Sequence, residues 1–449
     1  MTLSTKRKTP LRRLWTRTRP ILHIPRTRFS SAPTHSMPTA EHELAPVNLP
    51  YNDYGRPGPE FETEEGQFEW RPSHDSLSVF ALQNSFEVFD RQTEFTGSFS
   101  LTPGNLRAKG VLKRGNQWVS SQEFNWMRQS WSARYCKVEM NMGSAAAATA
   151  GSAIPATVRL LVADSLRGNM DYRNGQARFE AEHELAPVNL PYNDYGLRLP
   201  YLGWNVDSAA VSLGRDKAGK GEPILFMATH PESDSIQFEA THARLSLESG
   251  SLSLFGIDHI PCADAWIYPP NGTVQIGRKS KIQAMEGARI VWDSLSRAHE
   301  AIDVRLSING RMSYQATGFY LYLVGGESPQ KIRLKEIGVD SNGISRASAR
   351  VYRDSGFVMA PGISFGGTLD IRGDSVGILF SGIGGLKYMR NSPLSSFFKI
   401  DLRYNPRSNL KQRMVNLNGG RLTIIYPCLP YKTLLRFSTG TLNLAVVSL

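Results

Sequence analysis

The chain has 449 residues, is 41% hydrophobic and carries a formal net charge of +12. That length suits two or three domains, and that apolar share suits sizeable cores, which excludes a wholly disordered chain. No apolar run reaches the roughly 20 residues a membrane-spanning helix needs; the best is GFYLYLVGG.

In chain order, residues 1–40 hold Lys6, Arg7, Lys8, Arg12, Arg13, Arg17, Arg19, Arg26 and Arg28, with no Asp or Glu. A segment this basic, interrupted by prolines, cannot pack a core and is expected to be disordered alone. Its natural partner is a polyanion, either nucleic acid or an acidic membrane surface. Trp15 and Phe29 add rings that can stack on bases. The same composition also suits a mitochondrial transit peptide, with RTRFSSAP near the cleavage point. Residues 1–66 read together as a basic arm and linker.

Residues 67–260 read as a β core, with order expected from about Phe68. ARYCKVEMNM puts Cys136, Val138, Met140 and Met142 on one strand face. The small-residue stretch 143–155 reads as a flexible loop. TVRLLVAD, GQARFEA, LPYLGWNVDSAAVSL, PILFMAT and SIQFEATHARLSLESGSLSLFG follow as strands and turns. The block AEHELAPVNLPYNDYG occurs twice, at 40–55 and 181–196. A solenoid repeat would drift and recur every 20–50 residues. An identical pair instead points to recent duplication, template switching or an assembly error. The second copy lies between two strand patterns and is expected to ride as a surface loop, where insertion is cheap.

Residues 261–303 are expected to form a helical connector. Met285, Ala288, Trp292, Leu295 and Ile302 fall near one helical stripe. Residues 304–449 return to strand patterns and form a C-terminal β-rich domain, with a basic patch at Arg407, Lys411, Arg413 and Arg421.

Catalytic signatures are weak. GDSVG at 373–377 matches Gly-x-Ser-x-Gly, but no helix pattern follows and the last histidine, His299, lies upstream. Asp354-Ser355-Gly356 matches the aspartic-protease triplet, yet Tyr352-Arg353 precedes it where apolar residues are needed, so a solvent-exposed turn is expected. His230 and His242 lack further ligands at metal spacing. Cys136, Cys262 and Cys428 show neither pairing nor zinc spacing and read as inert thiols of a reducing compartment. Asn271-Gly272-Thr273 is a sequon by pattern alone. No catalytic residue, metal or cofactor is expected, and the chain reads as a non-enzyme.

From about Arg134 to Phe255 the order of patterns resembles the 30-kDa superfamily of plant-virus movement proteins. TVRLLVADSLRGNMDYRNGQARFEA has Asp164 closing an apolar run, with Arg167 just after. Asp216 precedes the Pro223 strand, and SIQFEATHARLSLESGSLSL completes the series. The resemblance implies a jelly-roll-like β-sandwich with Asp164 as the signature residue, capping a turn through the N–H groups of residues 166–168. It also implies sequence-independent binding of single-stranded RNA or DNA, self-association, host plasmodesmal or membrane-surface partners without a transmembrane span, and a place in host cytoplasm and plasmodesmata. Two alternatives stay open: a jelly-roll coat protein with an internal arm, located in the virion, and a mitochondrial β-rich protein with a cleaved presequence.

Overall fold

Buried and exposed residues alternate through most of the chain, so strands build it. The computed structural model describes residues 66–71, 76–81, 85–88, 93–102, 105–127, 129–143, 158–214, 222–292, 298–324, 328–360, 363–386, 397–404, 422–425, 433–438 and 441–446. The protein is mainly β, and the helical elements among these residues are short 3-10 turns.

The early strands are β1 (Gly66–Arg71), β2 (Ser76–Ala81), β3 (Phe86–Val88), β4 (Thr93–Thr102), β5 (Asn105–Arg114), β6 (Gln117–Met127), β7 (Ser130–Asn141) and β8 (Arg159–Asp171). Shorter ones follow: β9 (Gln176–Ala181), β10 (Ala186–Leu190), β11 (Tyr195–Leu199), β12 (Tyr201–Asn205), β13 (Ala210–Leu213), β14 (Ile224–Ala228), β15 (Gln237–Ala240), β16 (His242–Ser246) and β17 (Leu252–Phe255). Next are β18 (Ile260–Cys262), β19 (Ala265–Tyr268), β20 (Thr273–Ile276), β21 (Met285–Trp292), β22 (His299–Gly310), β23 (Ser313–Tyr322), β24 (Gln330–Val339) and β25 (Ser345–Val351). The last are β26 (Val358–Ala360), β27 (Ile363–Arg372), β28 (Ile378–Leu386), β29 (Phe397–Tyr404), β30 (Leu422–Ile425), β31 (Thr433–Ser438) and β32 (Thr441–Val446).

The chain divides into two compact units. Unit 1 takes Met1–Phe226, Thr241–Leu254 and Gly277–Lys279; unit 2 takes Met227–Ala240, Phe255–Ile276 and Ser280–Leu449. The division therefore interleaves between 226 and 280 instead of falling at one cut near 260.

In unit 1, antiparallel pairing runs β1–β2–β4–β5–β6–β7–β8–β9–β12–β13–β16. Most of these pairs join sequence neighbours, because short turns connect antiparallel strands directly. The inward faces meet in an aromatic cluster. Phe95 packs on Phe99 at 4.8 Å and on Phe124 at 5.8 Å, and Phe124 meets Trp131 edge-on at 5.4 Å. Burying each such side chain contributes about 1.5–3 kcal/mol. Gly97 and Gly110 face each other across β4 and β5. A Cβ on Gly97 would lie 2.1 Å from the Lys109 carbonyl oxygen, so only glycine permits this close crossing.

The expected helix at 281–302 is corrected to two strands, β21 and β22. Ala288, Ile290 and Trp292 are buried with a period of two, and β21 pairs with both β19 and β22. Met285, Ala288 and Trp292 fit a helical stripe because β21 is irregular: its register shifts between Met285 and Ala288, around Gly287 at φ +80°. The β-branched pair Ile290-Val291 favours the pleated alternative. Leu295 lies outside the described residues.

The second copy of the repeated block is also corrected, from a tolerated loop to core structure. β9 and β10 lie in succession along β8. The register slips by four residues between Leu166↔Ala181 and Ala163↔Val188, and residues 182–185 take up the slack. Residues 191–194 turn the chain, and β11 then β12 return beside β10 and β9. Ala186, Val188, Leu190 and Tyr195 are all buried.

Candidate nucleic-acid interface

Unit 2 presents one long solvent face. Pairing runs β18–β19–β21–β22–β23–β24–β25–β27–β28–β29 and on to β32. From β22 to β27 one side is buried: Leu306, Ala316, Ile337, Ala347 and Ile371 align across five strands. The strand period of two therefore sends their neighbours to solvent. Gly338, Arg346 and Arg372 form one outward row, and Ser348, Asp370, Leu379 and Arg403 the next. Several of these residues line an open groove of ≈ 1100 Å³.

Cations and rings alternate on this face. The Arg289 guanidinium lies 3.9 Å from the Tyr268 ring centre, the Lys331 ammonium 4.2 Å from that of Phe319, and the Arg350 guanidinium 5.8 Å from that of Tyr352. Acids temper the face. Arg289 pairs with Glu300 at 3.3 Å, Lys331 with Asp303 at 2.7 Å and Arg346 with Asp340 at 2.6 Å, while Arg305 pairs with Glu286. Arg372 grips Asp374 through two nitrogens, at 2.9 and 2.7 Å. Among the described residues Arg333, Lys335 and Lys399 have no ion-pair partner. Arg350 of β25 is likewise without one, so the unpaired positive charge of this face lies on β24, β25 and β29.

The nine arm cations, Lys6 to Arg28, lie outside the described residues, as do the patch from Arg407 to Arg421, Cys428, Asp216 and most of the 143–155 stretch. Asp164 is described, and its expected role is corrected. It does not close a strand before a loop; β8 continues to Asp171. Its exposed carboxylate accepts a hydrogen bond from the Ser165 N–H at 2.6 Å, not from residues 166–168. Ser165 sits at φ +58°, and here β8 changes its flanking partner from β10 to β9. Asp164 therefore supports a bulge with one local bond. Asp164→Ala is expected to change stability by no more than about 0.5 kcal/mol, the scale of exposed substitutions, as thermal melts will read.

Opposite the bulge lies a residue that sequence reasoning missed. The Glu182 carboxylate is buried; it accepts from Arg134 Nε at 2.8 Å and lies 3.3 Å from Arg167 Nε. Burial opposes its charge, but Arg134 and then Arg167 outweigh that and hold the carboxyl below its usual range. A lowered carboxyl pKa adds stability above the unfolded value of about 4.3, and this is lost as pH falls through the folded pKa. Glu182→Gln should remove that step, so melting temperatures of variant and wild type should converge as the medium is acidified.

The catalytic-looking motifs do not assemble into reactive sites. Folding brings His299 to Ser375, yet the imidazole Nε2 meets the Ser375 backbone carbonyl at 2.7 Å and Nδ1 meets Tyr320 Oη at 3.0 Å. The Ser375 hydroxyl instead donates to the Gly377 carbonyl at 3.3 Å. Asp354-Ser355-Gly356 is an exposed 3-10 turn, as expected. His230 Nδ1 accepts from the Glu232 N–H and caps a turn. Burial pushes the Cys136 and Cys262 thiols up to about 12, which keeps them protonated and unreactive. Among the described residues no cluster of three or more His, Cys, Asp or Glu could hold a metal ion.

Unit 2 also contains a buried polar chain. Trp292 Nε1 donates to Tyr314 Oη at 2.8 Å, Tyr314 Oη donates to Ser345 Oγ at 2.6 Å, and Ser345 Oγ donates to Asp264 Oδ1. Each link satisfies a group whose burial alone would cost about 1–3 kcal/mol. The chain ties β21, β23 and β25 to Asp264, in the turn before β19, and behaves as core.

No protein-family model matches the chain, and no curated protein matches it.

Proposed function

We propose that the chain is a non-enzymatic binding protein for an extended polyanion, with single-stranded nucleic acid as the ligand its sequence favours. The observation that carries this reading is the solvent face of unit 2, where Arg333, Lys335, Arg350 and Lys399 have no ion-pair partner among the described residues and the rings of Phe319, opposite Arg333, and Tyr352, beside Arg350, lie among them. Binding without sequence preference needs charges that follow a backbone and ring faces on which bases stack. An open face suits that task better than an enclosed pocket. The arm adds nine cations with no compensating acid. Cell-to-cell transport of nucleic acid, with a jelly-roll-like core and self-association, is the biological role that the resemblance to movement proteins adds to this reading.

Fluorescence anisotropy of a labelled single-stranded oligonucleotide tests it. The double variant Arg333→Glu/Lys335→Glu should weaken binding and lower the salt slope by about 1–1.5, since each phosphate contact on a single strand contributes roughly 0.7. Equal affinity and slope in variant and wild type would remove the face from the binding site.

A further inference from the structure

The hairpin tip at 181–196 is held by contacts that its identical copy at 40–55 could make residue for residue. Ala181 N–H donates to the Pro200 carbonyl at 2.9 Å, and Glu182 N–H donates to the Ser165 carbonyl at 3.0 Å. Val188 and Asn189 pair with Ala163 and Val162 of β8. At the turn, Asn193 is fully buried and its amide donates to the carbonyls of Gly250 and Gly277, both at 3.0 Å. The Tyr192 carbonyl accepts from the Lys279 N–H at 3.3 Å. The corresponding residues of the first copy are Ala40, Glu41, Val47, Asn48, Tyr51 and Asn52.

The base of the tip is closed independently. Glu180 pairs with Tyr201, so β9 and β12 stay together whether or not residues between them leave the β8 edge. We propose that this edge of β8, together with the carbonyls of Gly250 and Gly277, is a binding site for residues 40–55 of the same chain. The resident tip has the advantage. Beyond the shared block it continues into Leu197 and Leu199, both buried, where the first copy has Arg56 and Gly58. The first copy therefore enters when the resident tip is weakened. This inference is independent of the nucleic-acid reading.

A thermal-melt cycle on the full chain tests it. Asn193→Asp sets a carboxylate against two carbonyl oxygens and should lower the melting temperature. Asn52→Asp alone should leave it unchanged, but added to Asn193→Asp it should lower it by several further degrees, because it disables the substitute. Should Asn193→Asp fail to fold, the milder pair Val188→Ala and Val47→Ala runs the same cycle. The proposal is overturned if the 40–55 substitutions are silent in both backgrounds.

Discussion

Removing residues 1–40 is expected to abolish most affinity for single-stranded nucleic acid and to flatten its salt dependence. The segment holds nine cations and no acid. Full engagement of nine phosphates would account for about six units of the slope of log affinity against log salt. The face of unit 2 cannot match that, because Arg289, Arg305, Lys331, Arg346 and Arg372 are already paired with acids. Truncation should therefore cost orders of magnitude in affinity at low salt and leave a weak remainder on the folded face. That remainder should in turn be sensitive to Arg333 and Lys335. Titrations at several salt concentrations measure both terms, and an unchanged slope after truncation would transfer the binding to the folded units.

The largest stability effect is expected at Trp131. Its side chain is 0% exposed, meets Phe124 edge-on at 5.4 Å and lies 6.3 Å from Phe179. Gly168 makes room for it: a Cβ there would come within 2.9 Å of the indole. Trp131→Ala should cost about 3–5 kcal/mol through lost burial and the cavity left behind. Trp131→Phe should cost clearly less than its lost volume suggests. The indole N–H has no hydrogen-bond partner among the described residues, so phenylalanine removes a buried unsatisfied donor. Urea unfolding of both variants separates the two contributions; a Trp131→Phe loss as large as its lost volume suggests would mean that the N–H is satisfied in solution.

The β class was legible because alternation is a local signal. Cys136, Val138 and Met140 were placed on one face from spacing alone, and all three are buried. Where a bulge interrupts the alternation, the signal fails. Around Gly287 it mimics a helical stripe, and at Asp164-Ser165 it hides in an unbroken strand. The repeated block was misjudged for another reason. Its identity to residues 40–55 carries no packing signal; the burial of the second copy shows only in the register with β8 and in Leu197 and Leu199 just beyond it. The candidate face was invisible for a third reason: Arg289, Lys331, Arg350 and Arg403 come from four separated strands and share a face only once the sheet is registered. Glu182 gave no signal of burial, because its partners Arg134 and Arg167 lie far off in sequence or on another element, in β7 and β8.

Photocross-linking tests the central claim most directly. A single-stranded oligonucleotide carrying photoreactive bases, bound to the full chain and irradiated, should mark peptides from residues 1–40 and from β24 and β25 of unit 2. Cross-links confined to the strands of unit 1, or none above those of an uncharged polymer probe, would contradict the account.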